Sequence, residues 1–124
     1  MVKPDMDREA AGLAVIAKMG WGQNEALREI DEDIWRLVSE INFGSIWARP
    51  GLSLRDRELI CLSILIAIGA PGVTMHFKHA HQLGFSEEEL KEVILQCIPY
   101  AGFPKAIQAM AAFKRVMSGE SPSL

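Results

Sequence analysis

Ten consecutive residues, Leu59-Ile-Cys-Leu-Ser-Ile-Leu-Ile-Ala-Ile68, carry no charge, no glycine and no proline. A glutamate, Glu58, stands directly before them, and Ser53-Leu-Arg-Asp56 supplies a hydroxyl and an acid in the spacing of a helix start. The run reads as a helix that is apolar on every side. Such a helix is buried all round, so it is the centre of a domain or of an interface. It is too short to span a bilayer, which takes about 20 residues, and no other run is longer. A chain of 124 residues has enough surface to cover one core. With 49% hydrophobic residues it has more apolar surface than that core hides, which points to burial between copies. The expected organisation is a single domain over 1–124 that forms a homo-oligomer.

The rest of the chain reads as helices separated by Gly and Pro. A modest helix over about 5–18 stops at Gly20 and Gly22. Asn24 is placed to cap a second helix, in which Leu27, Ile30, Ile34, Leu37, Val38 and Ile41 form one apolar stripe, with Asp31, Glu32, Asp33 and Arg36 on a solvated face. After the central helix, Gly69, Pro71 and Gly72 break the chain, and a short helix runs from about Thr74 to Leu83, where Gly84 ends it. Ser86 and Glu89 make a capping box, with Phe85 and Leu90 as its hydrophobic staple. Leu90, Val93, Ile94 and Cys97 form that helix's inner face, and Pro99 kinks or ends it. A last helix reaches about Met117, with Ile107, Met110, Phe113 and Met117 inward, and the tail over 118–124 reads as disordered. The fold class is all-α, with five to seven helices.

Charge and cysteine usage exclude some functions. A net charge of −3 without a basic cluster argues against nucleic acid. The acidic N-terminus, with Asp5, Asp7 and Glu9, is unlike a secretory signal. Cys61 and Cys97 each lie in an apolar run and read as buried free thiols, which fits a cytoplasmic protein.

Chemistry concentrates between Arg49 and Pro104. Glu58 sits in the first turns of an apolar helix, where the macrodipole favours an anion and burial alters its protonation. The three histidines, His76, His79 and His81, follow on the next helix. No HExxH or adjacent cysteine accompanies them, so no metal site is expected. His79 and His81, beside Lys78 and Gln82, read as structural or surface groups.

Several segments in order, FGSIWARPGLSLRDREL from Phe43, His76, the Gly84-Phe-Ser-Glu-Glu-Glu-Leu-Lys-Glu-Val93 run and Tyr100-Ala-Gly-Phe-Pro104, resemble the carboxymuconolactone decarboxylase family over roughly 43–117. The resemblance implies a small all-α domain of the alkyl hydroperoxidase D kind, assembled as a homotrimer or homohexamer. It also implies removal of CO2 from a small anionic lactone such as 4-carboxymuconolactone, without a cofactor. Loss of CO2 leaves a dienolate that must be protonated. His76 is the candidate acid, and Glu58 orients and charge-balances it. Arg49 or Arg57 anchors the substrate's carboxylate arm, with Tyr100 among the binding residues. Other chemistries on the same Glu–His site, an isomerase or a lactone hydrolase, or a non-catalytic oligomer, remain open. In the related thiol peroxidases a CxxC lies between the Glu and the His. Here those positions fall near Gly69 and Gly72, so the peroxidatic thiols are missing. His81 and Gln82 also stand where Leu and Asn are common in the decarboxylases.

Overall fold

A computed structural model describes residues 5–119. All regular structure there is helical: α1 (Met6–Lys18), α2 (Glu25–Ile30), α3 (Glu32–Arg36), a π-helix (Leu37–Trp47), α4 (Leu54–Ile68), α5 (Val73–His79), a 3-10 turn (Ala80–Leu83), α6 (Glu87–Ala101) and α7 (Phe103–Met117). The all-α class and the upper helix count agree with the sequence. Most of the tail expected to be disordered lies outside the described residues. The chain forms two compact units that divide between Leu54 and Arg55.

In the first unit, α1 lies against the π-helix at a glycine crossing. A Cβ on Gly12 would stand 1.7 Å from the Ser39 carbonyl oxygen, and one on Gly44 would stand 2.1 Å from that of Arg8. Only glycine allows backbones this close. Phe43 packs at 5.9 Å from Trp21 and 5.5 Å from Trp47. Glu40 is buried and accepts from the Asp5 backbone N–H at 2.7 Å, while Arg36 spans toward Glu40 and Glu9.

Two expectations for this unit are corrected. The second helix is not continuous: Asp31 is extended, and its carboxylate caps α3 by accepting from the Ile34 N–H at 2.8 Å. The stripe Ile30, Ile34, Leu37 and Ile41 is exposed, and the buried line is Trp35, Ser39, Phe43 and Trp47. That line has a uniform four-residue step. The wider i→i+5 winding of a π-helix turns the chain away from the 3.6-residue period on which the stripe rested.

The second unit has one core. Leu62 and Ile66 of α4 meet Val73 and Phe77 of α5, Leu90 and Ile94 of α6, and Ala106, Ala109 and Phe113 of α7. Phe77 and Phe113 stack edge-on at 5.4 Å. The alanines let α7 approach closely, whereas Ile107, expected inside, is 65% exposed. The capping box forms as expected, Ser86 Oγ accepting from the Glu89 N–H and Glu89 from the Ser86 N–H. Phe85 and Leu90 are both buried beside it. Gly84 ends the 3-10 turn at φ 88°, a conformation open chiefly to glycine. Pro99 does not end α6, which runs on to Ala101 and stops at Gly102.

The central helix is not buried on all sides within one chain. Glu58, Leu62 and Ile66 face inward, while Ile60, Ile64 and Ile68 are about half exposed or more, at 48%, 54% and 64%.

Candidate active site

Glu58 lies on the inward line of α4, one turn before Leu62, and is 2% exposed. A carboxylate in that position needs a partner, because an unpaired buried charge is costly. The partner is His76, halfway along α5. Its Nδ1 lies 2.5 Å from Glu58 Oε1, and its side chain is 12% exposed. Consecutive helices joined by a short connection put their near ends together, which would leave Glu58 far from α5. The contact nevertheless forms within one chain. The Glu58 and His76 side chains bridge the two helices.

Cys61 completes the cluster. Its Sγ is 3.8 Å from His76 Nδ1 and 3.7 Å from Nε2. Cys61 was expected in the core, and this is corrected: one turn of helix brings it beside Glu58 on the face that meets α5. The spacing Glu58-x-x-Cys61 was the available signal, since residues three apart share a helix face. A sulfur nearly equidistant from both ring nitrogens lies in the plane midway between them. It favours neither nitrogen, whereas a thiol activated by the ring pairs with one of them.

Burial alone would lower the pKa of His76. The contacts with Cys61 and Glu58, and the charge on Glu58, outweigh it and raise the value to about 9. His76 is thus an imidazolium at neutral pH, held against a buried carboxylate. His79 is driven the other way by burial and by the neighbouring basic groups of Lys78, His81 and His76.

Glu58, Cys61 and His76 together have the donor types of a metal site, with one ligand atom each within 4.8 Å of one another. Two ligands on a tetrahedral ion at 2.0–2.1 Å would stand about 3.3 Å apart. The 2.5 Å between His76 and Glu58 is shorter than that and is the geometry of a direct hydrogen bond.

The remaining sequence candidates lie in different settings. Arg57 is half-buried on α4, next to Glu58, and Arg49 is exposed on the loop of the first unit. Tyr100 is 89% exposed. It lines a groove between α4 and α6 with Leu59, Ser63, Gln96 and Cys97, whose α4 residues belong to a different flank from Cys61. The two thiols are free, and only Cys97 is in that groove.

The fold is that of a small all-α domain, compatible with the alkyl hydroperoxidase D-like class. Residues 32–115 match the carboxymuconolactone decarboxylase family, and the chain belongs to that family. It is 36% identical over 87 residues to a 4-carboxymuconolactone decarboxylase of Acinetobacter baylyi, covering 69% of this chain and 65% of that protein. It is 31% identical over 83 residues to a nitrosuccinic acid decarboxylase of Metarhizium robertsii, covering 66% of this chain and 58% of that one. The chain thus spans less than two thirds of either relative's length.

Proposed function

We propose that this chain is a cofactor-free carboxy-lyase acting on a small anionic carboxylic acid, with a lactone such as 4-carboxymuconolactone as the leading substrate. The observation that carries the reading is the buried Glu58–His76 pair, which stores a proton on an imidazole beside an acidic side chain. In the reaction the C–C bond to the carboxylate breaks heterolytically. CO2 leaves, and the electron pair passes into the unsaturated system as a dienolate. The imidazolium of His76 then delivers its proton to carbon, and the neutral ring regains one from water. Glu58 fixes the ring through Nδ1, which leaves Nε2–H to face the reacting carbon. The positive ring also favours the anionic intermediate over the free acid. Arg57, Arg49 and Tyr100 are the sequence-based candidates for holding the substrate's other polar groups.

A thiol peroxidase reading has less support. One thiol adjoins His76 without favouring either of its nitrogens, and the other lines a groove that Cys61 does not share.

The same proposal includes self-association. Ile60, Ile64 and Ile68 leave an uncharged aliphatic strip exposed on α4. It has no charge with which to choose a polar partner, so a second copy of the same strip is its natural cover. Two free thiols fit a reducing compartment such as the cytoplasm, and no described helix is long and apolar enough to cross a membrane.

The test is CO2 release from freshly generated 4-carboxymuconolactone and from nitrosuccinate. His76→Ala should lower kcat at least about 100-fold, the usual loss of a general acid. Wild-type protein that releases CO2 from neither acid refutes the reading.

A further inference from the structure

A cavity of about 150 Å³ lies among the end of α4, the α4–α5 connection and α7. Its floor is apolar, with Leu65, Val73 and Ala109, and its polar groups are Thr74, Lys105, Gln108 and Arg115. No carboxylate lines it. Lys105 and Arg115 make no ion pair with any described residue. The lysine lies over Gly69: a Cβ there would stand 2.8 Å from its Nζ and 3.1 Å from Gln108 Oε1.

Two cations around a small apolar-floored hollow call for an anion. The carboxyl end of α4, beside which Lys105 lies, offers only about half an elementary charge. Lys105 is itself in the first turn of α7, a turn without acidic residues, where the macrodipole disfavours a cation. Most of the two positive charges is therefore uncompensated by the described residues. The volume is below the roughly 300–1,000 Å³ of a whole-ligand pocket. It suits a carboxylate with a short carbon arm.

None of Glu58, Cys61 and His76 lines the cavity, but residues of both their helices do. On α4, Leu65 lies four residues beyond Cys61, and on α5, Val73 lies three residues before His76. Such neighbours on one helix face have Cβ atoms about 5–6 Å apart. On both helices the cavity is thus one turn from the cluster, on the side of the Gly69–Gly72 connection.

We infer that this cavity is a carboxylate site, in which Lys105, aided by Arg115 and Gln108, anchors one carboxylate of a small dicarboxylic acid while its other end reaches His76. The reaction role rests on the decarboxylase reading above; the anion site does not. It assigns the anchoring cation to α7, in addition to Arg57.

The test is a titration of isotope-labelled protein with succinate, followed at the backbone amides of Gly69, Ala70 and Thr74. Wild type should show saturable shifts there. Lys105→Gln should weaken binding at least tenfold, Arg115→Gln several-fold, and Lys105→Arg should retain it, which separates loss of charge from loss of fold. Equal binding by Lys105→Gln, or shifts centred on Tyr100 and Cys97 instead, overturns the assignment. In the CO2 assay Lys105→Gln should raise KM at least tenfold and lower kcat much less. If His76→Ala abolishes turnover while Lys105→Gln leaves KM alone, the cavity is not the anchor and the reaction stands. If wild type decarboxylates neither acid yet binds succinate through Lys105, the reaction fails and the site stands.

Discussion

Replacing Glu58 by Gln keeps the size of the side chain and a neutral hydrogen-bond acceptor, and it removes the charge that faces His76. The size of the effect follows from the geometry. With charge centres about 4 Å apart and an effective dielectric of roughly 20, the pair attracts by about 4 kcal/mol. Burial of the imidazolium takes part of this back. The rise of His76 from 6.5 to about 9 amounts to roughly 3 kcal/mol, to which the Cys61 contact contributes beside Glu58. Because the folded value lies above the unfolded one, this contribution is complete below about pH 6.5. It is lost as pH rises through about 9.

The assay is a proton NMR titration of the imidazole signals in wild type and Glu58→Gln, with urea unfolding at pH 6 and pH 10. In wild type His76 should titrate near 9, and His79 below the ordinary histidine value, so one short helix carries an internal control. In Glu58→Gln the His76 midpoint should fall by roughly 1 to 3 pH units, the usual effect of one adjacent opposite charge. The variant should be less stable than wild type by up to about 3 kcal/mol at pH 6, with the difference closing toward pH 10. A wild-type midpoint near 6.5, or a penalty that is the same at both pH values, would refute the argument.

Cys61→Ser should move the His76 midpoint and alter activity, because the thiol touches both ring nitrogens, whereas Cys97→Ser should leave the midpoint in place; the same titration reads both. Gly12→Ala should disrupt the first unit, since the Ser39 carbonyl cannot yield the missing space, at a cost above the roughly 1–3 kcal/mol of ordinary overpacking. Tryptophan fluorescence reports that unit alone, as Trp21, Trp35 and Trp47 all lie in it. Gly72→Ala, with nothing within 4 Å of its Cβ, should be tolerated.

The parts of this fold that local chemistry dictates were legible in the sequence. Ser86 and Glu89 specify their capping box without help from the tertiary structure, and Gly84 specifies its left-handed stop. Glu58 and His76 were legible as a working pair through the family resemblance, and the 2.5 Å contact agrees with it. Helix spacing alone did not place them together. Cys61 was misread because an apolar run conceals which of its members faces the neighbouring helix. Residues 27–41 were misread for a different reason. Their aliphatic stripe follows an α period, while Asp31 interrupts the helix and the π winding changes the repeat, so Trp35, Phe43 and Trp47 take the core. Lys105 and Arg115 carried no motif at all. Their ten-residue separation becomes a shared cavity only once α7 is set against Gly69.

Glu58 and His76 belong to the same polypeptide, and this has a genetic consequence. In a cell expressing two defective alleles, one lacking Glu58 and the other lacking His76, every Glu58–His76 pair would be incomplete. Interallelic complementation is therefore impossible at this locus for these two lesions, whatever the number of subunits. Defects in residues that meet across a subunit contact could still rescue one another.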